Sequence, residues 1–175
     1  GSAPTLAATM NSRGFANGAN LPGGFTMGAN SAPSMAADDS GSIYVVWGQK
    51  NWGGANNADI YLVKSTDEGA TWTALDTIPK PVTQASGDQW LPWATWDNGT
   101  GALVVVYYDS RESSQVNLYA SISYDGGTTF QDLKVSDDYW SGNASFAGDY
   151  IGVDARDGVA YPVWVDDRDT TGTFK

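Results

Sequence analysis

Two short segments of this chain place an arginine two residues after an aspartate, and both could bind an anionic ligand. They are residues 109–111 (Asp-Ser-Arg) and 166–168 (Asp-Asp-Arg). A guanidinium holds a carboxylate through a planar pair of N–H donors, so Asp109, Arg111 and Arg168 are candidate ligand-binding residues. The same spacing also fits a local Asp–Arg pair that rigidifies its own loop, which is the more economical interpretation.

A second group of carboxylates stands directly before predicted strands. Gly87-Asp88-Gln89 and Gly148-Asp149-Tyr150 share this placement, and Gly28-Ala29-Asn30 precedes an earlier strand. Asp88 and Asp149 could bind Ca²⁺ together with carbonyl groups and water, or act as an acid or a base. The alternative is that they cap the strand starts through local backbone hydrogen bonds. No cofactor is required by this pattern. Ca²⁺ is the one ion that it suggests, and the sequence does not determine whether a metal is bound.

Aromatic side chains form the third set of candidates, because an exposed ring can stack on a sugar while nearby polar groups bind its hydroxyls. We predict that the following aromatic residues lie in loops: Trp52, Trp90, Trp93, Tyr139, Trp140, Phe146 and Tyr150. Four of them are the ligand-binding candidates Trp52, Trp90, Trp140 and Tyr150. Packing between sheets is the alternative role, and it is the one expected for Trp96 and Trp164, which lie within predicted strands.

Residues that the chain lacks exclude several kinds of chemistry. It has no His and no Cys, which removes His-based triads, His or thiolate metal sites, and disulfides. A net charge of −11 argues against nucleic acid or an anionic membrane surface as a partner and suits solubility outside the cell. No apolar run approaches the ~18 residues of a membrane span, so membrane insertion is not expected.

Short strands are the elements that would position these residues. Aromatic residues make up 13% of the chain and charged residues only 17%, with 21 Gly, and no helical period is sustained. Each unit opens with a strand, turns at a Gly-bearing segment, and continues in a strongly apolar strand. The opening strands are predicted at 33–38, 92–97 and 151–156, the second strands at 43–47, 102–108 and 159–165, and third strands at 59–64 and 116–122.

One eight-residue pattern, Ser-x-Asp-x-Gly-x-Thr-aromatic, occurs twice, 58 residues apart. In such a turn Asp accepts backbone N–H groups, Gly supplies a positive φ, the hydroxyls close the turn, and the aromatic ring packs on the sheet. We therefore assign a structural role to Ser65, Asp67, Gly69, Thr71 and Trp72 in the first copy and to Ser123, Asp125, Gly127, Thr129 and Phe130 in the second.

This pattern resembles the Asp-box, or BNR repeat, of sialidase-like β-propellers. The resemblance implies an all-β fold, a segment of a sialidase-like β-propeller with four-stranded antiparallel blades, of which about two and a half to three are present. The expected units are residues 1–30 (a leader or the outer strand of a preceding blade), 31–85, 86–146 and 147–175, the last being the first half of a third blade. The candidate ligand-binding residues would lie at the end of the sheets opposite the Asp-boxes.

Sialidases hold the substrate carboxylate with three Arg residues and use an Asp acid and a Tyr–Glu nucleophile. This chain departs from that pattern, because its early Arg13 lies in no Arg-Ile-Pro motif and neither Glu68 nor Glu112 is placed to partner a catalytic Tyr. We therefore expect a glycan-binding segment without complete catalysis. The alternatives are a fragment of a glycoside hydrolase of the exo-sialidase type and a structural or protein-binding propeller.

The resemblance also implies a secreted or cell-surface bacterial protein with a glycan or glycoprotein as its partner. No signal-peptide pattern opens the sequence, but Gly1-Ser2 is typical of residues left by cloning, so a signal is expected to have preceded it. Two and a half blades cannot close a ring. A second copy or the rest of a parent chain is therefore expected to complete the propeller.

Overall fold

The computed structural model describes residues 32–50, 58–78, 87–112, 116–139 and 150–166. In these ranges the chain is all-β, with ten strands in three sheets and every pairing antiparallel. The prediction of an all-β fold with four-stranded antiparallel sheets is confirmed.

Strands follow one another in space in the order of the sequence. Sheet 1 contains β1 (Ser34–Ala37), β2 (Ile43–Lys50), β3 (Ala58–Ser65) and β4 (Thr73–Ile78). Sheet 2 contains β5 (Gln89–Asp97), β6 (Ala102–Asp109), β7 (Asn117–Ser123) and β8 (Gln131–Lys134). Sheet 3 contains β9 (Gly152–Arg156) and β10 (Val159–Val163).

The start of β5 differs from the sequence prediction. β5 begins at Gln89 instead of Pro92, so Trp90 lies in a strand. Trp93 lies within the predicted strand 92–97, and the expectation that these two tryptophans lie in a loop was wrong. A β-bulge between these two tryptophans lets pairing with β6 continue past the proline, and Leu91 takes a φ of 53° there. Because β5 is an edge strand, the missing N–H of Pro92 is tolerated.

Sheet 2 lies between the other two sheets, and β6 is buried at every position. Alternate β6 residues such as Leu103 and Val105 form one apolar cluster with Tyr44 of sheet 1. The intervening residues, such as Val104, form a second cluster with Val153 of sheet 3. Strand side chains alternate between faces, so a continuous apolar run is what a strand buried on both faces requires.

Strand direction divides each sheet into two ends. Odd-numbered strands begin, and even-numbered strands finish, at what we call the rim end. The opposite end, called the turn end, carries the short turns β1–β2, β5–β6 and β9–β10 and both copies of the eight-residue pattern.

The first copy of the pattern is held by its own side chains. Asp67 accepts the backbone N–H of Thr71 at 2.8 Å and its hydroxyl at 2.5 Å, and it also accepts the hydroxyl of Ser65. The Ser65 hydroxyl in turn accepts the N–H of Gly69, whose φ is 87°. Trp72 donates its indole N–H to the carbonyl of Gly69, so the ring lies back against the turn.

The second copy repeats these bonds. Asp125 accepts the N–H of Thr129 at 2.8 Å and its hydroxyl at 2.6 Å, while Ser123 donates to Asp125 and accepts from Gly127. Phe130 packs on the apolar cluster between sheets 1 and 2. Because each Asp is occupied by its own turn at the turn end, neither carboxylate reaches the rim.

Asp97 joins sheets 2 and 3 at the turn end. Within its own turn its carboxylate accepts the N–H of Gly99 at 2.9 Å and the hydroxyl of Thr100 at 2.7 Å. It also accepts the N–H groups of Asp157 and Gly158, at 2.9 and 2.6 Å, from the β9–β10 turn. One carboxylate therefore fixes two neighbouring turns.

Candidate functional site

Asp88 lies at the rim end, just before β5, and connects two sheets. Its carboxylate accepts the N–H of Ala58, the first residue of β3, at 2.7 Å. Its own backbone is bonded to Ser110, through the hydroxyl at 2.8 Å and the N–H at 3.0 Å. A side chain at Gly87 would come within 2.8 Å of the Ser110 carbonyl, so Gly is needed there. Asp88 thus caps a strand of the preceding sheet, not its own.

Asp59, next to Ala58 on β3, was not singled out by sequence analysis. In the amide orientation that satisfies both groups, Gln89 donates to the Asp59 carboxylate at 3.3 Å. Burial, and then the negative charges of Asp88 and Asp109, raise the pKa of Asp59 to about 6. This carboxyl therefore exchanges its proton close to neutral pH. No local pattern marks Asp59, because its neighbours come from another sheet.

Arg111 is enclosed by partners from its own sheet. It donates to Asp109 at 2.8 Å and to Asp132 at 2.6 Å, and a further N–H reaches the hydroxyl of Tyr107 at 3.2 Å. Its guanidinium carbon lies 4.3 Å from the centroid of the Tyr119 ring, which is cation–π distance. The network closes through hydrogen bonds among Tyr107, Ser121 and Asp132.

The electrostatics of this network follow from its burial. Although burial opposes its charge, the hydrogen bond from Arg111 to Asp109 and the surrounding negative charge raise the pKa of Arg111. Burial raises the pKa of Asp109 above its ordinary value despite the bonds from Arg111. Only 18% of the Arg111 side chain is exposed and none of the Asp109 side chain. A ligand carboxylate would have to displace Asp109 or Asp132 to reach the guanidinium.

A Tyr–Glu pair exists that the sequence did not predict. Tyr119 donates its hydroxyl to Glu112 at 2.6 Å, and the other carboxylate oxygen of Glu112 pairs with Lys134 at 2.7 Å. Glu112 thus bonds a Tyr, a contact that the expectation of no Glu beside a catalytic Tyr did not consider. The two residues meet because Glu112 follows β6 at the rim end, near the start of β7.

The charge state of this pair does not favour a nucleophilic phenolate. Burial, and then the hydrogen bond to Glu112, raise the pKa of Tyr119. The hydrogen bonds from Lys134 and Tyr119 hold the pKa of Glu112 below its ordinary value, so it stays a carboxylate. The phenol thus keeps its proton and acts as a donor.

The aromatic candidates divide by exposure. Trp90 is 4% exposed and its ring centroid lies 5.8 Å from that of Tyr108, so it is a core residue. Tyr150, separated from β9 by Ile151, is 80% exposed, and Tyr139, after β8, is 44% exposed. Trp93 on β5 is also 44% exposed.

Trp96 is half-buried and stacks on Tyr44 at 5.4 Å, while Trp164 packs on the apolar cluster between sheets 2 and 3. Trp164 follows the last residue of β10, so the expectation that it lies within a strand was wrong. The remaining candidates, Trp52, Trp140, Phe146, Asp149 and Arg168, lie outside the described residues.

Neither a metal site nor a membrane span is found in the described ranges. No group of three or more His, Cys, Asp or Glu side chains there could hold a metal ion. No helix in those ranges is long and apolar enough to cross a bilayer.

Comparisons with known proteins return structures only. No protein-family model and no curated protein matches the chain. A protein of unknown function from Dyadobacter fermentans DSM 18053 is similar with a TM-score of 0.49 and 19% identity, over 73% of this chain and 31% of that one. A xylan β-1,4-xylosidase from Bacillus halodurans C-125 is similar with a TM-score of 0.48 and 16% identity, over 86% and 27%.

The chain therefore spans less than a third of either structure. The scores and identities are too low to carry a functional conclusion.

Proposed function

We propose that this chain is a segment of a sialidase-like Asp-box β-propeller that binds glycans and carries no complete catalytic site. The two eight-residue turns support the family assignment, because they repeat the same side-chain hydrogen bonds at equivalent places in two consecutive four-stranded sheets. Packed sheets of this kind, each connected to the next along the chain, are the units of a propeller.

One observation carries the glycan proposal: at the rim end the charged side chains bond to the protein itself, whereas aromatic rings are exposed. Asp88 and Arg111 are engaged by the backbone or by Asp109, while Tyr150 and Tyr139 present rings to solvent. Exposed rings with hydroxyl groups suit the apolar face and hydroxyls of a sugar. A small free anion has no apolar face to stack on these rings.

A glycan array probed with the intact chain tests this proposal. We expect binding to neutral or acidic glycans that Tyr150→Ala and Tyr139→Ala each weaken by about tenfold. Tyr124→Ala is the matched control, because Tyr124 is 64% exposed but lies at the turn end. Loss of binding in all three variants, or in none, would count against a rim-end glycan site.

The enzyme alternative has one observation in its favour, the Tyr119–Glu112 pair beside Arg111. If it acted as a nucleophile, Tyr119→Phe would abolish hydrolysis of a fluorogenic sialoside while leaving the fold intact. We expect no hydrolysis in the unaltered chain, since the phenol is held protonated.

A further inference from the structure

The turn-end junction of sheets 2 and 3 brings together two dipeptides with the same reactive arrangement. Asn98-Gly99 lies in the β5–β6 turn, and Asp157-Gly158 is the two-residue β9–β10 turn. Asn98 and Asp157 are both exposed. In each dipeptide the second residue has no Cβ, so its backbone nitrogen can approach the side-chain carbonyl carbon of the first without hindrance. Both dipeptides can therefore rearrange to isoaspartate.

The rearrangement passes through a five-membered succinimide ring. At Asn98 the backbone nitrogen of Gly99 bonds to the side-chain amide carbon, and the amino group leaves as ammonia with the proton of that nitrogen. At Asp157 the nitrogen of Gly158 bonds to the carbon of the carboxylic acid form, and the hydroxyl leaves as water. A water molecule then opens the ring. Opening at the original main-chain carbonyl leaves an isoaspartate, whose main chain is one methylene longer.

The Asp97 carboxylate is bonded to both of the nitrogens that would attack. It accepts the N–H of Gly99 at 2.9 Å and that of Gly158 at 2.6 Å, and Asp97 is only 2% exposed. Burial opposes its charge, but hydrogen bonds from Thr100 and from the backbone lower the pKa of Asp97, so it is a carboxylate at neutral pH. A nitrogen bonded to this charge gives up its proton less readily, because the resulting anion would stand beside a like charge.

The two turns also fix each other's backbone. Gly99 packs so closely on the neighbouring turn that a Cβ there would lie 2.8 Å from the Cα of Asp157. Ring closure requires a change of main-chain angles, which this contact and the bonds to Asp97 oppose. An isoaspartate at residue 98 would insert its extra methylene at the same contact. The β9–β10 turn could not then keep its place.

We propose that Asn98 and Asp157 are paired sites of isoaspartate formation, and that Asp97 suppresses the reaction at both while sheets 2 and 3 are joined. Asn98 reacts first, because near neutral pH an amide closes the ring faster than a carboxylic acid group does. That reaction removes the Gly99 N–H from Asp97 and displaces the β9–β10 turn, which releases the nitrogen of Gly158. The proposal does not depend on glycan binding at the rim end.

Peptide mapping of the full chain during a long incubation near neutral pH measures the reaction at each site. Loss of the Asn98 amide changes the peptide mass, and isoaspartate at Asp157 is separated from aspartate by chromatography. We expect both reactions to be at least about tenfold slower in the folded chain than in the chain unfolded in urea. Equal rates in the two states would overturn the proposal.

Asp97→Asn separates the effect of the carboxylate from that of the fold as a whole. The variant keeps the size of the side chain but loses the charge and one acceptor oxygen, so both reactions should become about tenfold faster. Asp125-Gly126 is the matched control in the same chain, because its turn is held by Thr129 instead of Asp97. An unchanged rate at Asn98 and Asp157, or an equal increase at Asp125, would refute a local role for Asp97.

Asn98→Gln tests the coupling of the two sites without altering Asp97. Glutamine keeps an exposed amide, but it would have to close a six-membered ring, which is far slower. The reaction that displaces the β9–β10 turn is thereby removed. Isoaspartate at Asp157 should accumulate at least about twofold more slowly than in the unaltered chain. The same accumulation in both chains would show that the two sites react independently and that the proposal is wrong.

Discussion

Asp59→Asn should stabilise the protein at pH 7 and leave its stability nearly unchanged at pH 4. The Asp59 carboxyl has a pKa of about 6 in the folded chain, against an ordinary value of 3.8, because it is buried beside Asp88 and Asp109. The folded state therefore binds this proton more tightly than the unfolded state does. The resulting stabilisation is fully present below pH ~4 and is lost as the pH rises through about 6.

The size of the effect follows from the same values. At about 1.4 kcal/mol for each pH unit, the difference between 3.8 and about 6 would correspond to roughly 3 kcal/mol in a fully buried site. Asp59 is only half-buried, so solvent screens its interactions and about 1–1.5 kcal/mol is expected. An Asn at this position keeps an acceptor for Gln89 while it removes the charge.

Urea unfolding followed by tryptophan fluorescence, at pH 4, 5, 6 and 7, measures this difference. Asp39→Asn is the control, because it removes the same charge from an exposed side chain at the turn end. The gain in free energy of unfolding should grow with pH in Asp59→Asn more than in Asp39→Asn. A gain independent of pH, or one matched by the control, would refute the coupling of Asp59 to Asp88 and Asp109.

Three further perturbations test other parts of the structure. Gly99→Ala should cost about 1–3 kcal/mol in urea unfolding, because its Cβ would lie 2.8 Å from the Cα of Asp157, whereas Gly152→Ala, with open space around it, should cost little. Hydrogen bonds from the Thr129 side chain and backbone lower the pKa of Asp125 to about 2. Asp125→Asn should therefore be less stable than the unaltered chain by about 1 kcal/mol above pH 4, and this difference in stability should shrink as the pH falls from about 4 to 2. A difference in stability that does not change with pH would contradict this. Fluorogenic sialosides should not be hydrolysed, and saturable turnover abolished by Arg111→Ala would show that the enzyme alternative is right.

The parts of the structure that could be predicted are those whose partners are close in sequence. Asp67 takes its donors from Ser65 and Thr71, so the eight-residue pattern contains the whole turn. The Asp109–Arg111 pair is equally local. The spacing of the two residues was therefore enough to suggest that they pair with each other and rigidify their loop. The continuous apolar run likewise placed β6, which is buried on both faces.

The parts that could not be predicted depend on how sheets pack. Asp88 was a ligand-binding candidate with local capping of its own strand as the alternative, but its carboxylate bonds Ala58 in the preceding sheet, 30 residues away. Trp90 looked like a loop residue because Pro92 seemed to begin the strand, and only the bulge at Leu91 explains its burial. The raised pKa of Asp59 has no sequence signal, since the charges responsible come together only when sheets 1 and 2 meet.

The bonds between sheets 2 and 3 have a mechanical consequence. Asp97 holds the β9–β10 turn at the turn end, and Tyr108 holds Val165 at the rim end. A joint fixed at two separated points resists torsion as well as separation, whereas a joint fixed at one point can swivel. Sheets 2 and 3 should therefore respond to load as a single stiff plate.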